Sequence, residues 1–333
     1  MVKKPLIHLF VVTTFLFFSC KDENGFLPEM TGKPGEIILV ANNSIWQSPA
    51  GDSLKELFNQ SVYGLPQDES VFRVFRVTKS GFSNVIERHR SVLWVEIDSA
   101  SKSAFTVKKD VWARGQLVIS LSARNDSALA QIISMSKESI LNYFQEEELK
   151  RLELAQGKLS DKVLEKKIAE KHLVKMIIPK AFYAMIDTAG FVWLKQELQK
   201  TQGGEAHDIL KNILIYYIPY TNEKQTEQKY LLQLRDSLSR QFVLGPVEGS
   251  YMKVYQPYPP LSKIFTHKGK YIHSIKGLWN MEKYPMGGPF LNYVFVDEKN
   301  QRIVCVDAFL YCPNFDKREL MREMEALLRS TSF

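Results

Sequence analysis

Residues 290–310 read Phe-Leu-Asn-Tyr-Val-Phe-Val-Asp-Glu-Lys-Asn-Gln-Arg-Ile-Val-Cys-Val-Asp-Ala-Phe-Leu. Two runs rich in β-branched and aromatic residues, 290–296 and 302–310, flank the polar turn Asp297-Glu298-Lys299-Asn300. That pattern predicts a β-hairpin. Residues 317–328 follow with apolar side chains at helical spacing and predict an amphipathic helix that closes the chain. A hairpin with a helix to cover it points to an α+β fold built on antiparallel sheet.

Upstream, 173–178, 191–194, 213–218, 251–255 and 271–275 read as further strands, and 227–242 as a helix. The first half reads strand 36–41, helix 53–58, strands 71–77, 91–97 and 115–122, and helix 128–143. Between the halves, 145–171 is densely charged. It sets Glu147 against Arg151 and Glu146 against Lys150 at i,i+4, over a thin apolar stripe of Leu149, Leu152, Leu159, Val163 and Ile168. Gly157 is expected to break it in two. The organisation expected is an N-terminal α+β domain (35–145), a charged helical connector (146–172) and a C-terminal α+β domain (173–333).

The halves echo each other. Asp52-Ser53-Leu54, Phe58, Gly64-Leu65-Pro66 and Ser70-Val71-Phe72 in the first correspond to Asp236-Ser237-Leu238, Phe242, Gly245-Pro246 and Ser250-Tyr251-Met252 in the second. Each block sits between an apolar strand and further strands. An ancient duplication of one unit is one explanation; the frequency of Asp-Ser as a helix start is the other.

At the N-terminus, Lys3 and Lys4 precede an apolar run of about 13 residues (6–18) that ends at Ser19-Cys20. A helix needs about 20 apolar residues to cross a bilayer. The run therefore reads as a signal peptide (1–19), with Cys20 as the lipidated first residue of a mature lipoprotein anchored to a membrane outside the cytoplasm. Phe17 and Phe18 depart from the Leu and small residue usual in a lipobox. Lys21-Asp22-Glu23 resembles the Lys-acidic-acidic tag that sends Bacteroidota lipoproteins to the outer leaflet of the outer membrane, so surface-exposed and periplasm-facing placements both follow. Residues 20–34, with Gly25, Pro28, Gly32 and Pro34, read as a flexible tether.

The whole chain carries 44 basic and 37 acidic residues, net +7. Loss of Lys3 and Lys4 with the signal leaves 42 against 37, or +5. So mild an excess neither demands nor excludes an anionic partner, and a place outside the cytoplasm argues against nucleic acid. Beyond Cys20 there are Cys305 and Cys312. Seven residues of extended strand span about 23 Å, whereas a disulfide needs Cα atoms within about 7 Å. Two buried free thiols are expected.

The chain resembles the Bacteroidota lipoprotein family catalogued as domain of unknown function 4837. The likeness rests on Thr31-Gly32-Lys33-Pro34, the Trp46 region, Gly64-Leu65-Pro66-Gln67 with Phe72, Asp110-Val111-Trp112-Ala113 and Phe191-Val192-Trp193. It continues through Arg235-Asp236-Ser237, Gly249-Ser250-Tyr251-Met252, Gly277-Leu278-Trp279, Met286-Gly287-Gly288-Pro289-Phe290 and Lys317-Arg318-Glu319-Leu320. The resemblance implies a lipoprotein, over essentially the whole mature chain, and no particular activity.

No motif carries a catalytic mechanism: there is no His-Glu-x-x-His, no Cys-x-x-Cys, no phosphate-cradling glycine loop and no Gly-x-Ser-x-Gly. His267 and His273 flank Lys268-Gly269-Lys270 and are expected to face each other across a hairpin, but no third ligand accompanies them and no metal or cofactor is expected. Arg235 and Asp236 read as a carboxylate or phosphate clamp or as a structural pair. Met286-Gly287-Gly288-Pro289, beside Trp279 and Tyr284, reads as a ligand-contacting loop or as a tight connection into the central hairpin. The leading expectation is a non-enzymatic binding or assembly component of the cell envelope with a protein partner. The alternatives are an envelope hydrolase, which requires Arg235, Asp236, His267 and His273 to converge, and a carrier of lipid or apolar ligand, which requires a cavity.

Overall fold

β1 (Glu36–Val40) presents Ile37, Ile38, Leu39 and Val40 in succession, and all four are buried. A strand buried on both faces belongs inside a sheet whose two sides are covered. The chain then runs through α1 (Asn43–Trp46), α2 (Pro49–Phe58), β2 (Arg73–Val77), β3 (Ser91–Ile97), β4 (Ala104–Lys109), β5 (Leu117–Ala123) and α3 (Asp126–Lys158). The sheet order is β2-β1-β3-β5-β4. The protein is known here from a computed structural model that describes residues 27–100 and 102–333. The expected signal peptide and Cys20 lie outside the described residues.

This first sheet corrects the expectation of antiparallel pairing. β1 pairs in parallel with β2 and β3, and β3 with β5; β4 alone is antiparallel, to β5. Parallel neighbours need crossovers of about a dozen residues or more, and α1, α2 and the loop after them supply one between β1 and β2. One face packs under α2 and α3 through Leu54, Leu57, Phe58, Leu129, Ile133, Ile140 and Phe144. The other, which presents Ile38, Val40, Val92, Trp94 and Val118, is covered by Phe82 and Trp112.

α3 passes through Gly157 without a break. It stops instead at Leu159, because the Asp161 carboxylate accepts from the amides of Val163 and Leu164, both at 3.0 Å, and so caps α4 (Lys162–His172). The first turns of the expected connector are not a free arm. Glu148, 1% exposed, accepts from Arg90 Nε at 2.9 Å and pairs with Arg151, which also donates to the carbonyls of Arg90 and Gly115. Residues 27–34 are likewise seated on the domain: Arg114 N donates to Pro28 O, Thr31 N to Arg88 O, and Arg90 N to Thr31 O. For that part, the flexible tether is corrected.

The second half continues with β6 (Tyr183–Thr188), β7 (Phe191–Gln202), β8 (Glu205–Pro219), α5 (Gln228–Phe242), β9 (Met252–Val254), β10 (Leu261–His267), β11 (Lys270–Met281), β12 (Tyr284–Asp297), β13 (Arg302–Tyr311) and α6 (Arg318–Arg329). The order β10-β11-β12-β13-β8-β7-β6 is antiparallel throughout, with β9 added to the far end of β11. β12 and β13 form the expected hairpin. Residues 173–178 are not a strand; Lys175 makes one bridge to Ser332. α5 covers one face over Phe191, Tyr216, Trp279 and Phe290, while α4 and α6 cover the other through Ile168, Met324, Leu327 and Leu328. Cys305 and Cys312 are buried and free, as expected.

The fold is thus α+β in two domains, but the halves do not share one connectivity. β2 pairs beside the strand that precedes its helix, whereas β9 joins β11 rather than β8. The echoing motifs reduce to a similar helix and the strand after it. The domains meet where Leu149 and Leu152 of α3 pack on Ala326 of α6. Glu69 of the first domain accepts from Lys317 N at 2.7 Å and Arg318 N at 2.9 Å, capping α6 across the boundary.

Candidate functional site

A cleft of about 550 Å³ opens along this junction. Its first-domain wall is the loop 61–65 with Val71, and Asn142, Gln145 and Glu146 of α3. Its second-domain wall is the β10–β11 hairpin, the middle of β12 and one side of α6. The loop is held against the hairpin's approach: Tyr63 Oη donates to Pro259 O, and Gly64 N donates to Tyr258 Oη at 3.2 Å. Gly64 sits at φ +88°, with the Gly277 backbone 3.4 Å from where a Cβ would project, so the turn and the close approach both favour glycine.

Apolar and cationic groups share this cleft. Pro289, Leu291 and Tyr293 are buried in its floor, with Phe265 and Met321 beside them. Three arginines are already engaged. Arg318 donates to Ser70 O at 2.6 Å and Arg322 to Val71 O at 2.7 Å, and both hold Glu319 at 2.6 Å. Arg329 holds Glu146 at 2.6 Å and Glu325 at 3.4 Å. Two lysines are different: among the described residues, Lys263 and Lys276 have no carboxylate in ion-pair reach. Lys263 lies opposite Ser274, so Lys276 is its diagonal neighbour on the same face. The buried Nε2 of His267 and Nε of Arg329 have no hydrogen-bond partner.

The residues singled out in the sequence do not gather here as a set. Pro289 lines the cleft. His267 does too, but His267 pairs with Lys270 and His273 with Ile264, an odd offset that places the two imidazoles on opposite faces of the hairpin. His273 Nδ1 instead bonds Thr226 O at 3.0 Å. Arg235 is fully buried on Asp307, with Nε–Oδ2 2.8 Å and Nη2–Oδ1 3.2 Å. Against the desolvation of that site, the Asp307 carboxylate holds the guanidinium pKa above its ordinary value. Asp236 accepts from Val254 N at 2.8 Å and ties α5 to β9; its pKa is raised by burial. Trp279, 2% exposed, donates to Leu310 O. Met286, Gly287 and Gly288 belong to β12 rather than to a loop, and Tyr284 begins that strand. No local pattern marks Lys263 and Lys276, because strand pairing alone makes them neighbours.

Burial lowers the imidazole pKa values of His89, His267 and His273, and at His267 the nearby Arg329 and Lys268 add to it. Below about pH 6.5 the unfolded chain binds protons that these folded sites resist. Their contribution to stability is therefore complete above that pH and falls as acid is added. The urea midpoint is expected to drop between about pH 7.5 and 5.5, and to drop less in His89→Gln. An unchanged midpoint would refute the assignment.

Fold and cleft together define a two-domain α+β protein with a mixed apolar and cationic groove between its domains. The chain belongs to the family described as Domain of unknown function (DUF4837), whose model matches residues 161–330; that of Domain of unknown function (DUF8532) matches residues 30–155. No match is found among curated proteins. Among solved structures, the Saccharomyces cerevisiae Ran-binding protein Mog1p aligns at 8% identity and TM-score 0.30, over 48% of this chain and 89% of its own. Human STARD10 aligns at 11% identity and TM-score 0.24, over 52% of this chain and 84% of its own. Likenesses that low carry no argument about fold details or function.

Proposed function

We propose that this protein is a lipid-anchored component of the cell envelope that binds a ligand in the interdomain cleft without transforming it. The observation that carries the binding role is the cleft, whose volume falls in the range of ligand sites, roughly 300–1,000 Å³. The dispersal of Arg235, Asp236, His267 and His273 speaks against the one hydrolytic constellation the sequence suggested. Among the described residues no helix is long and apolar enough to cross a membrane. Attachment then rests on the acyl chains expected at Cys20, and two or three chains suffice for stable anchoring.

Metabolic labelling with an alkyne fatty acid tests the anchor. The wild type is expected to take the label and sediment with outer membranes, and Cys20→Ala to take none; labelling of the variant would overturn the proposal. Affinity isolation of the native protein from solubilised envelopes, with mass spectrometry, tests the binding role. A stoichiometric partner or co-purifying small molecule supports it. Turnover of an envelope glycan, peptide or lipid, abolished by one polar substitution in the cleft, would replace it with the enzymatic reading.

A further inference from the structure

Resting on the cleft as a binding site, we propose that its ligand is a single-chain amphiphile with an acidic head group. The chain lies along Phe265, Pro289, Leu291 and Met321, and the head group meets Lys263 and Lys276. The cleft's charges differ in one respect that bears on this. Its arginines are consumed by Glu319, Glu146, Glu325 and backbone carbonyls, and they hold the domains together. The two lysines have no such duty and are diagonal neighbours on one face of the hairpin, within reach of one anionic group between them. Toward the other end of the same cleft, about 13 Å along β10 from Lys263, the buried Nε of Arg329 and Nε2 of His267 have no hydrogen-bond partner.

A head group alone does not account for the rest of the cleft. Pro289 and Leu291 are buried under it, and Phe265 stacks edge-on to Tyr293 at 5.7 Å, leaving an apolar floor beside the cationic rim. A hydrophilic anion would leave that floor wet, and a neutral lipid would leave the lysines unneutralised. An alkyl chain ending in a carboxylate or phosphate satisfies both halves.

Calorimetric titration of the full mature chain with five probes, all at monomeric concentrations, tests this. The probes are dodecanoate, dodecyl phosphate, dodecyl maltoside, acetate and inorganic phosphate. The two dodecyl anions are expected to bind at least about tenfold more tightly than dodecyl maltoside, and to weaken as salt is raised. Acetate and inorganic phosphate are expected not to bind measurably. Lys263→Gln/Lys276→Gln should erase the preference for the anions, and Leu261→Ser at the rim should weaken all three dodecyl probes; thermal unfolding of each variant checks that it folds. Dodecanoate above dodecyl phosphate, or the reverse, assigns the head group to carboxylate or phosphate. Equal binding of dodecyl maltoside would overturn the acidic head while leaving the cleft as a binding site. Equal binding of inorganic phosphate would overturn the chain. Binding of none of the probes would overturn the inference, and the cleft reading would then stand or fall by what the native protein carries from the envelope.

Discussion

Asp307→Ala is expected to cost about 3–5 kcal/mol of folding stability. Both partners of the Arg235–Asp307 pair are 0% exposed, and the guanidinium lies 4.1 Å from the Phe290 ring. Within the pair the charges balance and two hydrogen bonds hold the geometry. Remove the carboxylate and a cation remains in a site walled by Tyr216, Phe290 and Met252, with Nη1 already lacking a partner. The guanidinium cannot shed its proton to escape, as a lysine could. Urea denaturation of the variant beside wild type measures the loss. The double change Arg235→Met/Asp307→Leu is expected to lie within about 2 kcal/mol of wild type, since a buried pair exchanged for well-packed apolar side chains is often neutral. A single variant that loses less than about 1 kcal/mol would show that water or a rearranged acceptor reaches the cation.

Gly288→Ala is expected to cost about 3 kcal/mol by overpacking. β12 runs between β11 and β13 here, and a Cβ on Gly288 would overlap the carbonyl oxygen of Leu310. The same oxygen accepts from Trp279 Nε1 at 3.2 Å, so the indole reaches across the glycine to the next strand but one. Because the obstacle is backbone, no rotamer change relieves it. Trp279→Phe, which removes the indole donor, is therefore not expected to rescue the alanine variant. Rescue in thermal unfolding would show that the side chain, not the strand, sets the limit.

Gly288 falls on a segment that the sequence marked as unusual, and Asp307 is the unmarked partner of Arg235, which it also singled out; the contrast shows what was legible and what was not. The hairpin at 290–310, the closing helix and α5 follow from side-chain periodicity, and β3 matches its expected bounds. Strand direction in the first sheet was harder, since direction depends on which strands become neighbours. A hint was present in Glu36-Ile37-Ile38-Leu39-Val40, whose unbroken apolar run suits a strand covered on both sides. β4, β6 and β10 escaped notice because they lie at sheet edges, where exposure dilutes the alternation. The residues picked for chemistry were conspicuous by type, and three of them, Arg235, Trp279 and Gly288, prove to organise the core. The cleft is assembled from positions far apart in sequence, such as Tyr63, Glu146, Lys263 and Arg329. No local pattern announces them.

The Glu69 cap on α6 has a consequence for how the chain can be divided. The two family models meet between residues 155 and 161, which divides the chain into two cassettes. Yet the amides that start α6 find their acceptor in the other cassette, and Arg318 and Arg322 reach the carbonyls of Ser70 and Val71 there. Severed at that seam, the second cassette would keep its sheet but leave its last helix open-ended and two arginines without their acceptors. The pair behaves as lock and bolt, and a new partner for the second cassette would have to bring a carboxylate to the same spot.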